Sequence, residues 1–195
     1  HTSGLPDMLP NNVDLRKAKS PLSTFVTETC TVAPDFPPGR SVQYQSMGIA
    51  VLAAIMEQVS GMPCAEFLRR EFFVPLGMHD TRLGAPDDWF NGAQPVIDRI
   101  AEIRVPAEQV QETEWNWNSR YWRQLGAPWG GLLTTPLDLG QFAQLMLNQG
   151  RAGGKQLLSP ATVRAATDNQ LAVLKELPDE ERRFRPWGFG WRLQW

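Results

Sequence analysis

Cysteine, histidine, tyrosine and lysine are all scarce in this sequence, and most of these scarcities remove a class of chemistry. Cys30, Cys64, His1 and His79 are too few and too scattered to make a zinc site. Neither a C-x-x-C nor an H-E-x-x-H spacing occurs. The two cysteines form a disulfide only if the fold brings them together; two small buried thiols are the alternative. The net charge is −2 with no block of like charges, so the basic face that nucleic acid demands is missing. No apolar run reaches the roughly eighteen residues of a membrane span. Residues 48–56 come closest and stop at Glu57.

Nucleophilic chemistry is just as incomplete. There is no G-x-S-x-G elbow, and no serine stands three residues before Lys17, Lys19, Lys155 or Lys175. A Ser-His-Asp triad would have to recruit His1 or His79, and His79 lies in "LGMHDT", which reads as a turn. Nothing singles out a glycosidase pair among the 21 acids. Taken alone, the sequence holds no complete hydrolytic site.

What is present is a globular composition, 42% hydrophobic and 21% charged over 195 residues. That length fits one domain, or one domain with part of another. Helical signals dominate. In "SMGIAVLAAIMEQVSG", Ile49, Leu52, Ile55, Met56 and Val59 recur at helical steps, with Ser46 as a cap and Gly61 past the end. Helices are expected over 46–60, 63–73, 136–149 and 160–168. The third has Thr135 as cap, Pro136 at its first position and Gly150 after it. "RAGGKQLLS" reads as a hairpin-like turn. A long irregular stretch from about Asp80 to Gly131 carries Trp89, Trp115, Trp117, Trp122 and Trp129, which argues for order rather than disorder. The chain opens on a turn-rich "HTSGLPDMLPNN" and closes on "WGFGWRLQW", whose alternation reads as a strand broken off partway. Both ends predict a segment of a longer polypeptide. Tyr44 stands two residues before the first of these helices. From the residues alone it is either a packed aromatic or a hydroxyl held out for chemistry.

The ordered set "HTSGLP", "PGRSVQYQSMGIAVLAAIMEQVSGMPCAEFLRREFFVPLGMHDTRL", "GAPWGGLLTTPLDLGQFAQLMLNQG" and "WGFGW" resembles the serine beta-lactamase-related superfamily. Its nearest branch holds the class C beta-lactamases, D-alanyl-D-alanine carboxypeptidases and family VIII esterases. The resemblance implies a mainly α chain, the helical lobe with flanking segments of a beta-lactamase/transpeptidase-like α/β fold. It also implies a bacterial serine hydrolase, periplasmic or secreted, working without metal or organic cofactor on a small-molecule ester or amide. That family carries Ser-x-x-Lys, Tyr-x-Asn and Lys/His-x-Gly motifs. Tyr44-Gln45-Ser46 matches the second; the first is expected before His1 and the third beyond Trp195. Residues 1–195 would then be a single segment lacking the nucleophile helix and the C-terminal sheet strands, inactive by itself. By the resemblance Tyr44 is catalytic, a phenol that either serves as a base beside the positive charge of the family's lysine or relays a proton to the leaving group.

Ser46 departs from the family asparagine. A hydroxyl offers one donor where an amide offers two, which favours an esterase over a beta-lactamase or D,D-peptidase. Ser46 is expected to touch substrate, and Trp122 and Trp129 to wall an apolar acyl pocket, with packing of a long loop as the other reading. "HTSGL" reads as a structural turn. A non-catalytic binding relative of the same fold is the rival to an enzyme.

Overall fold

The computed structural model describes residues 1–184 and 186–193. Its helices are α1 (Asn12–Lys17), α2 (Leu22–Thr29), α3 (Met47–Ser60), α4 (Cys64–Leu68), α5 (Arg120–Leu125), α6 (Pro136–Leu147), α7 (Pro160–Thr167) and α8 (Asp179–Phe184). Strands are confined to short pieces. β1 (Arg82–Leu83) pairs antiparallel with β2 (Leu132–Leu133), and β3 (Arg151–Ala152) with β4 (Lys155–Gln156). The mainly α expectation holds, and each of the four expected helices is present.

Local chemistry explains most of the boundaries. Thr135 Oγ1 accepts from the Asp138 N–H at 3.2 Å and Ser159 Oγ from the Thr162 N–H at 3.0 Å, the caps that start α6 and α7. Gly61 closes α3 in the left-handed region at φ 70°. Just beyond it, Glu57 Oε1 accepts from the Cys64 N–H at 2.8 Å, so α3 supplies the cap of α4. A π turn over Arg69–Phe73 then extends α4 toward Leu76. The closing segment forms one isolated bridge, Trp187 to Arg192. The last part of the strand expected there, residues 194 and 195, lies outside the described residues.

Two apolar cores carry the packing. In one, Leu9, Phe25 and Met47 meet Leu15, Val32, Leu125 and Trp129, joining α2 to the start of α3. In the other, Phe73, Leu76, Met78 and Leu145 join the end of the π turn to α6 and the β3–β4 hairpin. The apolar face of α3 is only half used. Met47 and Ala50 are buried, whereas Leu52, Ile55 and Val59 are exposed, Val59 to 84%. No described element covers that side of the helix, so the buried helix suggested by its periodicity is here a half-covered one. Both cysteines are free, Cys64 buried and Cys30 exposed. Among the described residues no single helix is long and apolar enough to cross a membrane.

Candidate active site

Tyr44 sits in extended chain three residues before α3, and the segment that positions it comes from the beginning of the sequence. Residues 1–7 run alongside residues 43–46 and bond to them repeatedly. The Gln43 N–H donates to the His1 carbonyl at 3.0 Å, and the Gln45 N–H to His1 Nδ1 at 3.3 Å. The Gln45 amide meets the Ser3 hydroxyl and, in the orientation that satisfies both ends, donates to the Leu5 carbonyl at 3.2 Å. The Ser46 hydroxyl donates to Asp7 Oδ1 at 2.6 Å. Gly48 leaves the room this requires: a Cβ there would stand 2.7 Å from Gln45 Oε1. The opening segment is itself pinned, because the Asp35 N–H donates to the Gly4 carbonyl and the Gly39 N–H to the Thr2 carbonyl, both at 2.8 Å. Gly4 adopts φ 79° and sits so close to the Phe36 carbonyl that a side chain would collide with it.

The cradle buries Gln45 and Ser46 and leaves Tyr44 out. Ser46 is 4% exposed and Tyr44 62%. One face of the phenol ring lies against the His1 imidazole, with centroids 4.8 Å apart, and the Tyr44 hydroxyl makes no hydrogen bond among the described residues. Ser46 occupies the expected cap position of α3 without capping it. Its backbone is already helical, at φ −91° and ψ −37°, and its proton goes to Asp7.

The two tryptophans assigned to a substrate pocket differ: Trp122 is packed in the interior, whereas Trp129 is half-buried and lines a cavity. Trp122 is 8% exposed, with the Arg16 guanidinium 4.9 Å from its ring centroid and Trp129 edge-on at 6.4 Å. It presents no open face. Trp129 leans on Phe25 at 5.6 Å and lines an apolar cavity of about 260 Å³ with Val26, Ala50, Ala54 and Cys64. Tyr44 makes its ring contact with His1 and not with either tryptophan. Arg16 explains the arrangement. Buried to 3% exposure, it stacks on Trp115 and Trp122 and donates to the Trp115 carbonyl at 3.1 Å, drawing the Trp-rich stretch onto α1. Burial lowers its pKa. No group of three or more potential metal ligands occurs among the described residues.

The helix-rich fold is that of the penicillin-binding-protein and beta-lactamase class, shared with solved structures of that class. More particularly, the chain belongs to the Beta-lactamase family, whose model matches residues 1–194. Penicillin-binding protein 4 of Amycolatopsis lactamdurans is 28% identical over 194 residues, 99% of this chain and 48% of that protein. The penicillin-binding protein of Bacillus halodurans superposes with a TM-score of 0.63 at 21% identity, over 97% of this chain and 54% of that one. The D-amino acid amidase of Ochrobactrum anthropi SV3, complexed with L-phenylalanine amide, gives 0.60 at 21% identity, over 87% and 45%. The chain spans about half the length of these relatives.

The cradle escapes sequence reasoning because its contacts join residues about forty positions apart. The stretch that supplies these contacts, residues 1–7, reads in the sequence only as a turn.

Proposed function

We propose that this chain is the helical lobe of a serine hydrolase that cleaves a small ester or amide through an acyl-serine intermediate, with Tyr44 as the group that moves the proton. The nucleophilic serine, its lysine and the Lys/His-x-Gly strand belong on this reading to flanking sequence of a longer parent. The serine oxygen bonds to the carbonyl carbon as the leaving group departs. The serine proton passes by way of the phenol to the departing oxygen or nitrogen, and water then frees the acyl group. The single observation that carries this reading is the exposed Tyr44 ring on a backbone fixed by residues 1–7. A phenol is a poor base at neutral pH without help, and the positive charge of the lysine in a Ser-x-x-Lys motif would supply that help.

Esters are favoured over beta-lactams and peptides by the state of Ser46. Its only proton is committed to Asp7, so it has no donor to offer an acyl amide. The uncovered Leu52, Ile55 and Val59 fit a helix whose outer side packs on a part of the parent outside this chain. Sequencing the parent gene upstream of His1 tests the reading: a serine three residues before a lysine is expected there. Its absence, with no hydrolysis of p-nitrophenyl butyrate or nitrocefin by the whole parent, would leave a binding relative of the fold.

A further inference from the structure

We propose that His1 is a positioning residue for Tyr44, an inference that rests on reading Tyr44 as the proton-transfer group. The imidazole lies between two aromatic rings. Tyr44 is on one side at 4.8 Å, tilted by 41°, and Trp187 meets it edge-on at 4.5 Å and 88°. Its Nδ1 accepts from the Gln45 N–H at 3.3 Å, which places the ring proton of the neutral form on Nε2. The Gln45 nitrogen is bonded to the Tyr44 carbonyl carbon. One imidazole therefore fixes both parts of Tyr44: its Nδ1 holds the peptide plane that follows the residue, and its face holds the side chain. Trp187 backs the imidazole and is anchored in turn, since its carbonyl accepts from the Gln170 N–H at 2.8 Å.

Exposure makes this hold necessary. A ring that is 62% exposed is not confined by packing and would sample several rotamers of its own. A misplacement of about 1 Å in a reacting group costs on the order of a hundredfold in rate. His1 narrows the ring to one orientation without touching substrate itself.

The test has a spectroscopic arm on this chain and a kinetic arm on the full-length parent. Tyr44 and Tyr121 are the only tyrosines, so ¹³C-tyrosine labelling gives two sets of ring resonances. His1→Ala is expected to move the Tyr44 set toward its free-peptide values and leave the Tyr121 set in place. In the parent, His1→Ala should lower kcat by about 10- to 100-fold while KM changes less than about 3-fold. His1→Asn, whose Oδ1 can take the place of Nδ1 as acceptor, should recover part of the loss. His1→Phe keeps a ring without the acceptor and separates the two holds; it also serves if the alanine variant does not fold. In a Tyr44→Phe background, His1→Ala should cost less than about 2-fold, because it acts through the missing hydroxyl. Unmoved Tyr44 resonances, or an equal loss in both backgrounds, overturn the inference alone. Full kcat in Tyr44→Phe itself overturns the reading of Tyr44, and the inference falls with it.

Discussion

Two phenols occur in this chain, and the structure gives them opposite circumstances. Tyr121 is half-buried, its hydroxyl donates to the Ser20 carbonyl at 2.8 Å, and burial pushes its pKa up. That is how a structural tyrosine is held. Tyr44 is exposed, with its hydroxyl unbonded among the described residues. Tyr44→Phe in the parent is expected to reduce kcat by about 10²- to 10⁴-fold, the usual worth of a general acid–base group. The melting temperature should stay within about 2 °C, since the ring contact with His1 is kept. Steady-state kinetics and calorimetry on the same preparation check both halves. The cysteines divide in a similar way. Burial, helped by Glu57, pushes the Cys64 thiol up to about 11, whereas Cys30 is exposed. Iodoacetamide at pH 8 should therefore modify Cys30 and spare Cys64 until the chain is unfolded, a pattern that peptide mass mapping reads directly. An unfolded thiol loses its proton first as the pH rises, so the folded state holds the extra proton between about pH 9 and 11. The contribution of Cys64 to stability is intact below that window and lost as the pH rises through it.

Among the elements, the first turn of α6 makes the clearest long-range tie. Asp138 accepts from the Asp80 N–H at 2.9 Å and from Thr81 Oγ1 at 2.8 Å, and its own N–H is capped by Thr135. Thr81 is fully buried and also meets Thr134 Oγ1 at 2.7 Å. One carboxylate thus joins the start of a helix to the turn that leads into β1. Asp138→Ala should destabilise the chain by about 2–4 kcal/mol, because two charge-assisted bonds are lost and the buried Thr81 hydroxyl is left without its carboxylate acceptor. Urea denaturation followed by tryptophan fluorescence measures it, and a change below about 0.5 kcal/mol would show the tie to be incidental. Thr135, Pro136 and Ser159-Pro160 made α6 and α7 legible, because capping is a local signal read within one turn. By contrast, α2 has no side-chain cap and four β-branched residues, Thr24, Val26, Thr27 and Thr29, in its eight. Its helix is set by Phe25, wholly buried against Met47 and Trp129 across sequence gaps that no local window spans. The same distance hides the surroundings of Tyr44. The family motif points to Tyr44, whereas the bonds from His1, Ser3 and Asp7 to Gln45 and Ser46 beside it leave no local signal. Trp122 is a related case: nothing near it in sequence announces that Arg16 will occupy its face.

For the molecule as a whole, the decisive matter is whether the arrangement contains an activated nucleophile. Four of the serines fail on their own surroundings. The Ser3 hydroxyl is bonded to the Gln45 amide, and those of Ser60 and Ser119 to backbone carbonyls. Ser46 is bonded to a carboxylate but is 4% exposed, too deep for a substrate carbonyl to reach its oxygen. Three of the bases are committed as well. Lys19 pairs with Glu114 at 2.7 Å, the Lys17 ammonium stands over the Trp115 ring at 5.7 Å, and the His1 Nδ1 lone pair is taken by Gln45. Serine catalysis needs nucleophile and base within about 3.2 Å of each other, and the one such contact named above, Ser46 to Asp7, lies out of a substrate's reach. The 195-residue chain alone should therefore show no turnover of p-nitrophenyl butyrate or nitrocefin above a heat-inactivated control. The exposed apolar side of α3, with Leu137 and Leu147 of α6 also exposed, predicts that the isolated chain binds a hydrophobic dye more strongly per mole than the intact parent. Turnover that scales with protein and is abolished by a serine-directed phosphonate would mean that a nucleophile lies within these residues. The labelled serine, identified by mass spectrometry, would then displace the reading in which Tyr44 serves a serine outside them.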